Sequence, residues 1–214
     1  MIETLLNLDC WLFHFINVTL VNGLFDVVMP TLTDLNKTWI GRVAAGLIWL
    51  ALLWKGGRKG RIAAIFLIPL IFMSDQLSSS VIKKLIARPR PCHIVDGHVV
   101  VQNIRLLVDC GGGFSFPSSH AANNFAAAAY FSYFYRTLTW IFVLFAGAVA
   151  FSRVYVGVHY PSDVLGGALI GVVCAAIVLG VVLMLGSRFS ILRLPPWSRS
   201  PVPTGVKPEQ QSRD

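Results

Sequence analysis

A long uncharged run near the C-terminal end constrains this chain more than any other feature. Residues 164–186 hold 23 consecutive positions without Asp, Glu, Lys or Arg. As a helix this run is about 34 Å long, which suffices to cross the roughly 30 Å hydrocarbon core of a bilayer. Only 13% of all residues are charged, against about 25% in soluble domains. We therefore predict one domain embedded in a membrane, and we exclude an ordinary soluble, fibrous or disordered protein.

Five other apolar stretches are candidate membrane crossings. In chain order they are residues 11–33, 39–54, 62–86, 121–135 and 138–151. The first stretch is interrupted by polar residues and by Pro30. It is therefore either one broken span or an interfacial amphipathic helix followed by a shorter span. The pattern predicts an all-α fold, a polytopic membrane helical bundle with about six transmembrane helices.

The Lys and Arg residues between these stretches predict the orientation of the bundle, because basic loops remain in the cytoplasm. Residues 55–61 are strongly basic, and so is the segment after residue 187. With six crossings, both termini are then cytoplasmic. Residues 87–118 and 152–163 lie together on the extracytoplasmic face, which is where the polar clusters described below are found.

Composition also predicts a domain boundary and excludes one class of binding partner. Residues 194–214 are rich in Pro, Ser and charge, which predicts a disordered cytoplasmic tail behind a membrane-embedded domain of residues 1–193. The net charge is +8, but the basic residues cluster between apolar runs and do not cover a polar surface. This distribution is typical of membrane loops, so nucleic acid is not an expected partner.

Basic residues end the 62–86 stretch, on the face where the positive-inside rule disfavours them. The segment from Lys83 to Pro91 contains four cations, and its alternating Arg-Pro pairs prevent helix continuation. The helix is therefore predicted to stop and to project Arg90 outward. For Lys84 or Arg88 alone, a snorkelling interfacial anchor explains the charge equally well. As a group, these cations predict an anion site.

A second polar cluster precedes the 121–135 stretch. Ser118 is a natural N-cap for that helix, and the free N–H groups of a first helical turn bind anions. A capping Ser alone is usually structural. His120, two residues later at a membrane face, favours a functional role for the cluster.

A third polar cluster precedes the last apolar run. It begins with Arg153, and Pro161 suits the first position of the following helix. His159 then lies just before that helix and Asp163 lies in its first turn. From there, the Asp163 carboxylate can contact the His159 ring and fix its tautomer.

The three clusters together resemble the signature of a known family. They are Lys83-x6-Arg90-Pro91, Pro117-Ser118-Ser119-His120 and Ser152-Arg153-x5-His159-x3-Asp163. Their order, spacing and placement between spans are similar to those of the type-2 phosphatidic acid phosphatase family of membrane lipid phosphatases. The family usually has Gly where this chain has Ser119. We expect Ser to be tolerated there, because the start of a helix does not require a positive φ.

This resemblance implies an enzyme that hydrolyses a phosphate ester or anhydride through a phosphohistidine intermediate, without a metal or another cofactor. It implies His159 as the nucleophile, Asp163 as the group that stabilises its ring, and His120 as the general acid. The implied phosphate-binding residues are Lys83, Arg90, Ser118, Ser119 and Arg153. Their chemistry fits this role, because guanidinium groups bind two phosphate oxygens at once and stabilise transition-state charge. The cysteine spacing also predicts no zinc site, and no carboxylate cluster predicts magnesium.

A site at the membrane face suits a lipid whose headgroup is phosphorylated. Within the family we favour undecaprenyl diphosphate, because residues 92–116 are too short for a large lid. Phosphatidylglycerophosphate, phosphatidic acid and lipid A phosphates are alternatives, and an anion-binding polytopic transporter is an alternative of another class. The expected partners are the lipid substrate and membrane lipids, without an obligate protein. The expected location is a bacterial inner (cytoplasmic) membrane, with the site facing the periplasm or exterior.

Two expectations concern residues outside the signature. Cys92 and Cys110 bracket the loop before the second cluster, and we hypothesise a disulfide between them if that loop is extracytoplasmic. Ser79 and Asp75 lie about one and two helical turns before Lys83, on a similar face. We predict that Asp75 supports the Lys83 stem, and a direct role in the site is the alternative.

Overall fold

The computed structural model describes residues 2–95 and 97–189. This part of the chain is mostly helical, as predicted. The α-helices are α1 (Ile2–His14), α2 (Gly23–Thr33), α3 (Trp39–Lys55), α4 (Gly57–Asp75), α5 (Lys83–Ile86), α6 (Ser119–Phe134), α7 (Thr139–Tyr155) and α8 (Pro161–Arg188). The predicted tail, residues 194–214, and the domain boundary at residue 193 lie outside the described residues.

Shorter elements connect these helices. A π-helical segment at Phe15–Thr19 extends α1, and another at Gln76–Ile82 joins α4 to α5 in one helical unit. Single 3-10 turns at Leu35–Lys37 and Arg136–Leu138 precede α3 and α7. A small antiparallel hairpin pairs β1 (Ile94–Val95) with β2 (His98–Val99) in the loop between α5 and α6.

Helix α6 lies at the centre of the bundle, packed against α4, α7 and α8. Its approach to α8 is close because both helices carry small residues. A Cβ atom added to Gly171 would lie 2.2 Å from the backbone oxygen of Ala122. Small residues allow this contact in membranes, where van der Waals packing drives helix association. The close packing brings the N-terminal ends of α6 and α8 together.

The N-terminal ends of α6 and α8 and the C-terminal end of α7 form one end of the bundle, called the site end below. The loop between α5 and α6 covers this end, where the N–H of Leu107 donates to the carbonyl oxygen of Val156 at 3.2 Å. Cys92 and Cys110 form a disulfide within the loop, with their Cα atoms 6.0 Å apart. The hypothesised bond is therefore confirmed.

Within residues 2–95 and 97–189, three helical segments are long and apolar enough to cross a membrane: Gly57–Ile86, Arg136–Tyr155 and Pro161–Arg188. The pair formed by residues 3–19 and 23–33 would add a fourth crossing if it were one span, but it is bent by 117°. Helices α3 and α6 are shorter, with 17 and 16 residues. Membrane embedding thus agrees with the sequence, whereas the count of six crossings remains a prediction.

The bent N-terminal pair contacts the site end from Asp9 to Thr33. Its polar contacts are Asp9 with Ser162, Asn17 with the Tyr155 carbonyl, Asp26 with the Tyr155 hydroxyl, and Thr33 with Arg153. Helix α2 advances about 10 Å between Asp26 and Thr33. The residues of α7 that they contact, Tyr155 and Arg153, are only two positions apart in the sequence. The pair therefore lies across the site end, and the predicted interruption of this stretch is confirmed.

Candidate active site

His159 and Asp163 are buried together where α8 begins. His159 is 1% exposed and Asp163 is fully buried, and Nδ1 of His159 lies 3.5 Å from Oδ2 of Asp163. The same oxygen accepts the N–H of Tyr160 at 2.8 Å, which closes the first turn of the helix. The structure therefore contains the predicted contact between the two side chains. With Nδ1 directed at the carboxylate, Nε2 is the nitrogen left with a free lone pair.

Burial is the main influence on the protonation of His159. Removal from solvent lowers its pKa to about 4, and the positive charges of Arg153 and Arg90 act in the same direction. Asp163 opposes this shift without cancelling it. The imidazole is therefore neutral at pH 7, which is the state that can act as a nucleophile or a base.

Ser115 is a buried member of this cluster that the sequence analysis did not identify. Its hydroxyl donates to Oδ2 of Asp163 and lies 3.5 Å from Nδ1 of His159. Ser115 lies ahead of the Pro117–His120 cluster, and no pattern in the sequence connects it with a helix 48 residues away. Its role follows from the loop conformation.

The structure also gives Arg88 a different role from those predicted by the sequence, which were an interfacial anchor or a member of the anion site. Its Nη1 donates to Oδ1 of Asp163 at 2.9 Å and its Nη2 donates to Oδ2 of Asp9 at 2.8 Å. The side chain is thus held by two carboxylates. Asp9, an acidic residue in an apolar helix, was the available signal, because such residues require a partner.

Four buried polar atoms of the predicted site have no hydrogen-bond partner within the described residues. They are Oγ of Ser118, Oγ of Ser119, Nε2 of His120 and Nε of Arg153. Ser118 occupies the predicted N-cap position, but its side chain does not cap α6. An unsatisfied buried polar atom costs about 1–3 kcal/mol. Such a concentration at one end of the bundle is typical of a polar ligand site.

The cations predicted to bind phosphate lie close to these unpaired polar atoms. Lys83 interacts electrostatically with Arg90 and Arg153, and His120 interacts with His159, Arg153 and Lys83. Arg153 is 5% exposed, and its Nη1 donates to the Thr33 hydroxyl at 2.7 Å. The structure therefore brings side chains from all three sequence clusters into one basic cluster, called the pocket below. Positive charges gathered with unpaired donors can bind a tetrahedral oxyanion.

The expected outward projection of Arg90 is wrong. The residue is 9% exposed, its Nε donates to the carbonyl oxygen of Gly113 at 2.8 Å, and its Nη1 donates to that of Cys110. The prediction failed because the following loop folds back over the guanidinium. Gly111 makes this possible with a φ of +71°, and a Cβ atom there would lie 3.4 Å from Nη1 of Arg90.

Asp75 lies beside the pocket, on the helical unit that carries Lys83. Its Oδ1 accepts a hydrogen bond from Nδ2 of Asn123 at 3.1 Å, and its backbone oxygen accepts one from the Ser79 hydroxyl at 2.6 Å. It also interacts electrostatically with Lys83. These contacts link α4 to α6 and agree with the predicted support of the Lys83 stem.

Comparison with known proteins relates this arrangement to a family. The profile of the PAP2 superfamily matches residues 62–187. Lipid A 4'-phosphatase of Bacteroides thetaiotaomicron is 34% identical over 80% of this chain and 75% of its own. Undecaprenyl-diphosphatase BcrC of Bacillus subtilis is 28% identical over 81% of this chain and 79% of its own. The crystal structure of a transmembrane PAP2 type phosphatidylglycerolphosphate phosphatase from Bacillus subtilis is similar with a TM-score of 0.64. That match has 25% identity and covers 83% of this chain and 86% of the other.

Proposed function

This chain belongs to the PAP2 superfamily, and from this premise we propose that it hydrolyses a lipid phosphate by way of a phosphohistidine at His159. The chain is a membrane-embedded phosphatase, in agreement with its apolar helices and with relatives named as phosphatases. The observation that carries the proposed mechanism is the set of buried polar atoms that lack partners in the described part of the chain and lie around two histidines and three cations. A phosphate group satisfies these donors and neutralises the excess positive charge.

Two chemical steps complete the reaction. In the first, the Nε2 lone pair of His159 attacks phosphorus, the bond from phosphorus to the leaving oxygen breaks, and His120 gives that oxygen a proton. In the second, water attacks phosphorus and the P–N bond breaks. His120 accepts the proton of this water, inorganic phosphate leaves, and His159 is restored. Asp163 stabilises the positive charge that develops on the His159 ring.

Phosphate binding is assigned to the residues predicted from the sequence: Lys83, Arg90, Ser118, Ser119 and Arg153. The unpaired Nε of Arg153 and the two free hydroxyls supply donors for the equatorial oxygens. Arg90 contributes mainly charge, since its Nε and Nη1 already bind backbone carbonyls. Fixed donors in a pocket with little water stabilise transition-state charge without reorganisation.

We assign the site end to the extracytoplasmic side of a bacterial inner membrane. The support is the basic segment 55–61, which the positive-inside rule assigns to the cytoplasm. Lys59 lies over the Tyr135 ring at 4.5 Å from its centre, and Tyr135 follows α6 at the end opposite His120.

The contacts of the N-terminal pair favour five crossings, formed by α3, the α4–α5 unit, α6, α7 and α8, over the predicted six. Cysteines introduced at residues 58 and 98 distinguish the two sides by labelling with a membrane-impermeant maleimide.

The first substrate candidate is the phosphate monoester of a saccharide lipid such as lipid A. It is supported by the 34% identity to a lipid A 4'-phosphatase over most of both chains. Undecaprenyl diphosphate, preferred from the sequence, is the second candidate, supported by the relative BcrC. The two differ in the leaving group. A diphosphate leaves readily, whereas a sugar hydroxyl needs the proton from His120.

Phosphate release from purified protein in detergent tests this function. The panel is lipid A, undecaprenyl diphosphate, phosphatidylglycerophosphate and phosphatidic acid, each with and without EDTA. We expect release from at least one lipid, unchanged by EDTA and abolished in His159→Ala, and a phosphohistidine trapped by acid-free quenching of the wild type. Absence of release from every lipid, with intact phosphate binding, would instead favour the anion-binding transporter.

A further inference from the structure

Arg88 joins two carboxylates that are far apart in the sequence. One is Asp163 of α8, the partner of His159, and the other is Asp9 of α1. Helix α1 lies outside residues 62–187, which match the PAP2 superfamily. The series Asp9–Arg88–Asp163 therefore connects an N-terminal helix beyond the matched region with the carboxylate that contacts the nucleophile.

Asp9 also binds the first turn of α8 directly. Its Oδ1 accepts the N–H of Ser162 at 2.8 Å and its Oδ2 accepts the Ser162 hydroxyl at 2.5 Å. Only 7% of Asp9 is exposed. A carboxylate this buried requires a paired charge and hydrogen bonds. Here Oδ2 pairs with the Arg88 guanidinium, and both oxygens accept hydrogen bonds. Asp9 thus fixes the residue immediately before Asp163.

Protein groups hold the Arg88 guanidinium on several sides. Besides the two carboxylates, its Nη1 donates to the Ser162 hydroxyl at 2.7 Å, and its central carbon lies 3.8 Å from the centre of the Tyr160 ring. A planar guanidinium can form ion pairs and stack on an aromatic ring at once. Arg88 is therefore directed at protein groups, in contrast to Arg153, whose Nε has no partner among the described residues.

We propose that Asp9 and Arg88 are positioning residues for the phosphatase reaction, which together hold the Asp163 carboxylate against His159 without contacting the substrate. This inference rests on the proposed function, because it requires His159 as the nucleophile. Arg88 binds Oδ1 of Asp163, while Oδ2 faces the imidazole. Asp9 offsets the charge of Arg88, so the negative charge of Asp163 remains available to the imidazolium that forms at His159.

Other charged groups also face His159 and Asp163. Arg153 from α7, Arg90 from the covering loop and His120 from α6 interact electrostatically with His159, and Lys83 interacts with Asp163. These groups are unchanged in the variants below. Differences between the variants therefore report on Asp9 and Arg88 alone.

The test compares Asp9→Asn, Arg88→Gln and the double variant with the wild type, using a lipid that the wild type hydrolyses. Glu3→Gln is the matched control, because it neutralises an exposed carboxylate of the same helix. Measurements are kcat, KM, the inhibition constant of inorganic phosphate, the pH profile of kcat/KM, and the thermal unfolding temperature.

Arg88→Gln leaves two buried carboxylates facing each other without a cation, and we expect kcat to fall about 100-fold. Asp9→Asn is expected to lower kcat about tenfold. The double variant should be more active than Arg88→Gln alone, because one of the facing carboxylates is neutral. Inhibition by phosphate should change less than about threefold in all of them, since the phosphate contacts remain.

The pH profile distinguishes positioning from a general loss of structure. Removing the Arg88 charge favours the protonated form of His159, so the acid limb of kcat/KM should move to higher pH in Arg88→Gln. In Asp9→Asn, which removes a negative charge, the limb should not rise. If Asp9 and Arg88 only stabilise the fold, both variants should lose activity without this difference between their acid limbs.

The inference is overturned if Asp9→Asn and Arg88→Gln keep kcat within twofold of the wild type. It is also overturned if phosphate inhibition weakens as much as kcat falls, which would place Arg88 on the substrate. Should Arg88→Gln not fold, the isosteric Asp9→Asn decides by the same two criteria. Failure of the proposed function is recognised separately, since His159→Ala would then retain phosphate release.

Discussion

The backbone N–H of Ser118 donates a hydrogen bond of 2.9 Å to the carbonyl oxygen of Asp163. This bond joins the starts of α6 and α8, the two helices that carry His120 and the partner of His159. The groups proposed to be catalytic are therefore positioned by helix ends that touch through backbone atoms. Packing between α6 and α8 should consequently control activity as well as stability.

Gly171 is the position where this packing can be tested. We expect Gly171→Val to lower the unfolding temperature in detergent and to reduce phosphate release, because its Cβ would lie 2.2 Å from the Ala122 oxygen. Forcing side-chain atoms into a packed interface costs about 1–3 kcal/mol or more. The control is Gly180→Val on the same helix, where a Cβ meets no atom within 4 Å. Equal stability of the two variants would contradict the proposed helix contact.

The pH dependence of kcat/KM should reflect the buried state of His159. Burial lowers its pKa to about 4. The proposed reaction requires the unprotonated ring, so we expect activity to be lost as pH falls through about 4. An exposed imidazole would lose activity near pH 6.5. The measurement is kcat/KM from pH 3.5 to 8, corrected for the second ionisation of the substrate phosphate near pH 6. A corrected acid limb at pH 6 to 7 would show that the pocket hydrates His159.

The disulfide should act mainly on substrate binding. Cys110 supplies both one sulfur and the carbonyl that holds Nη1 of Arg90. In the double variant Cys92→Ser and Cys110→Ser, we expect KM to rise about five- to tenfold while kcat changes less than threefold. Cys174→Ala, at a buried cysteine outside the loop, serves as the control. A loss confined to kcat would indicate that the loop orients His159 rather than Arg90.

Ser115 should contribute through the Asp163 carboxylate. Removal of its hydroxyl in Ser115→Ala deletes a buried hydrogen bond to an ionised group, worth about 1.5–3 kcal/mol. We expect kcat to fall at least about tenfold, with phosphate inhibition unchanged. Ser187→Ala, at an exposed serine of α8, should retain full activity. If phosphate inhibition weakened in Ser115→Ala, the hydroxyl would instead belong to the phosphate-binding set.

Local sequence properties determined much of this protein. The uncharged run at residues 164–186 predicted a membrane helix, and Pro161 placed Asp163 in its first turn, within reach of His159. The broken first stretch and the Cys92–Cys110 bond were also predicted correctly. These features depend on composition, helical periodicity and short spacings, which act along the chain and need no knowledge of its path.

Tertiary structure alone decided which distant groups complete the site. Arg88 and Ser115 both bind Asp163, and Arg88 also binds Asp9. These contacts form because the loop before α6 folds over α8 and the N-terminal pair lies across the site end. Arg90 is buried for the same reason. A side chain near a helix end can bind lipid, phosphate or carboxylate equally well by its chemistry. The choice depends on which partner the folded chain brings within hydrogen-bond distance, and no local pattern encodes that distance.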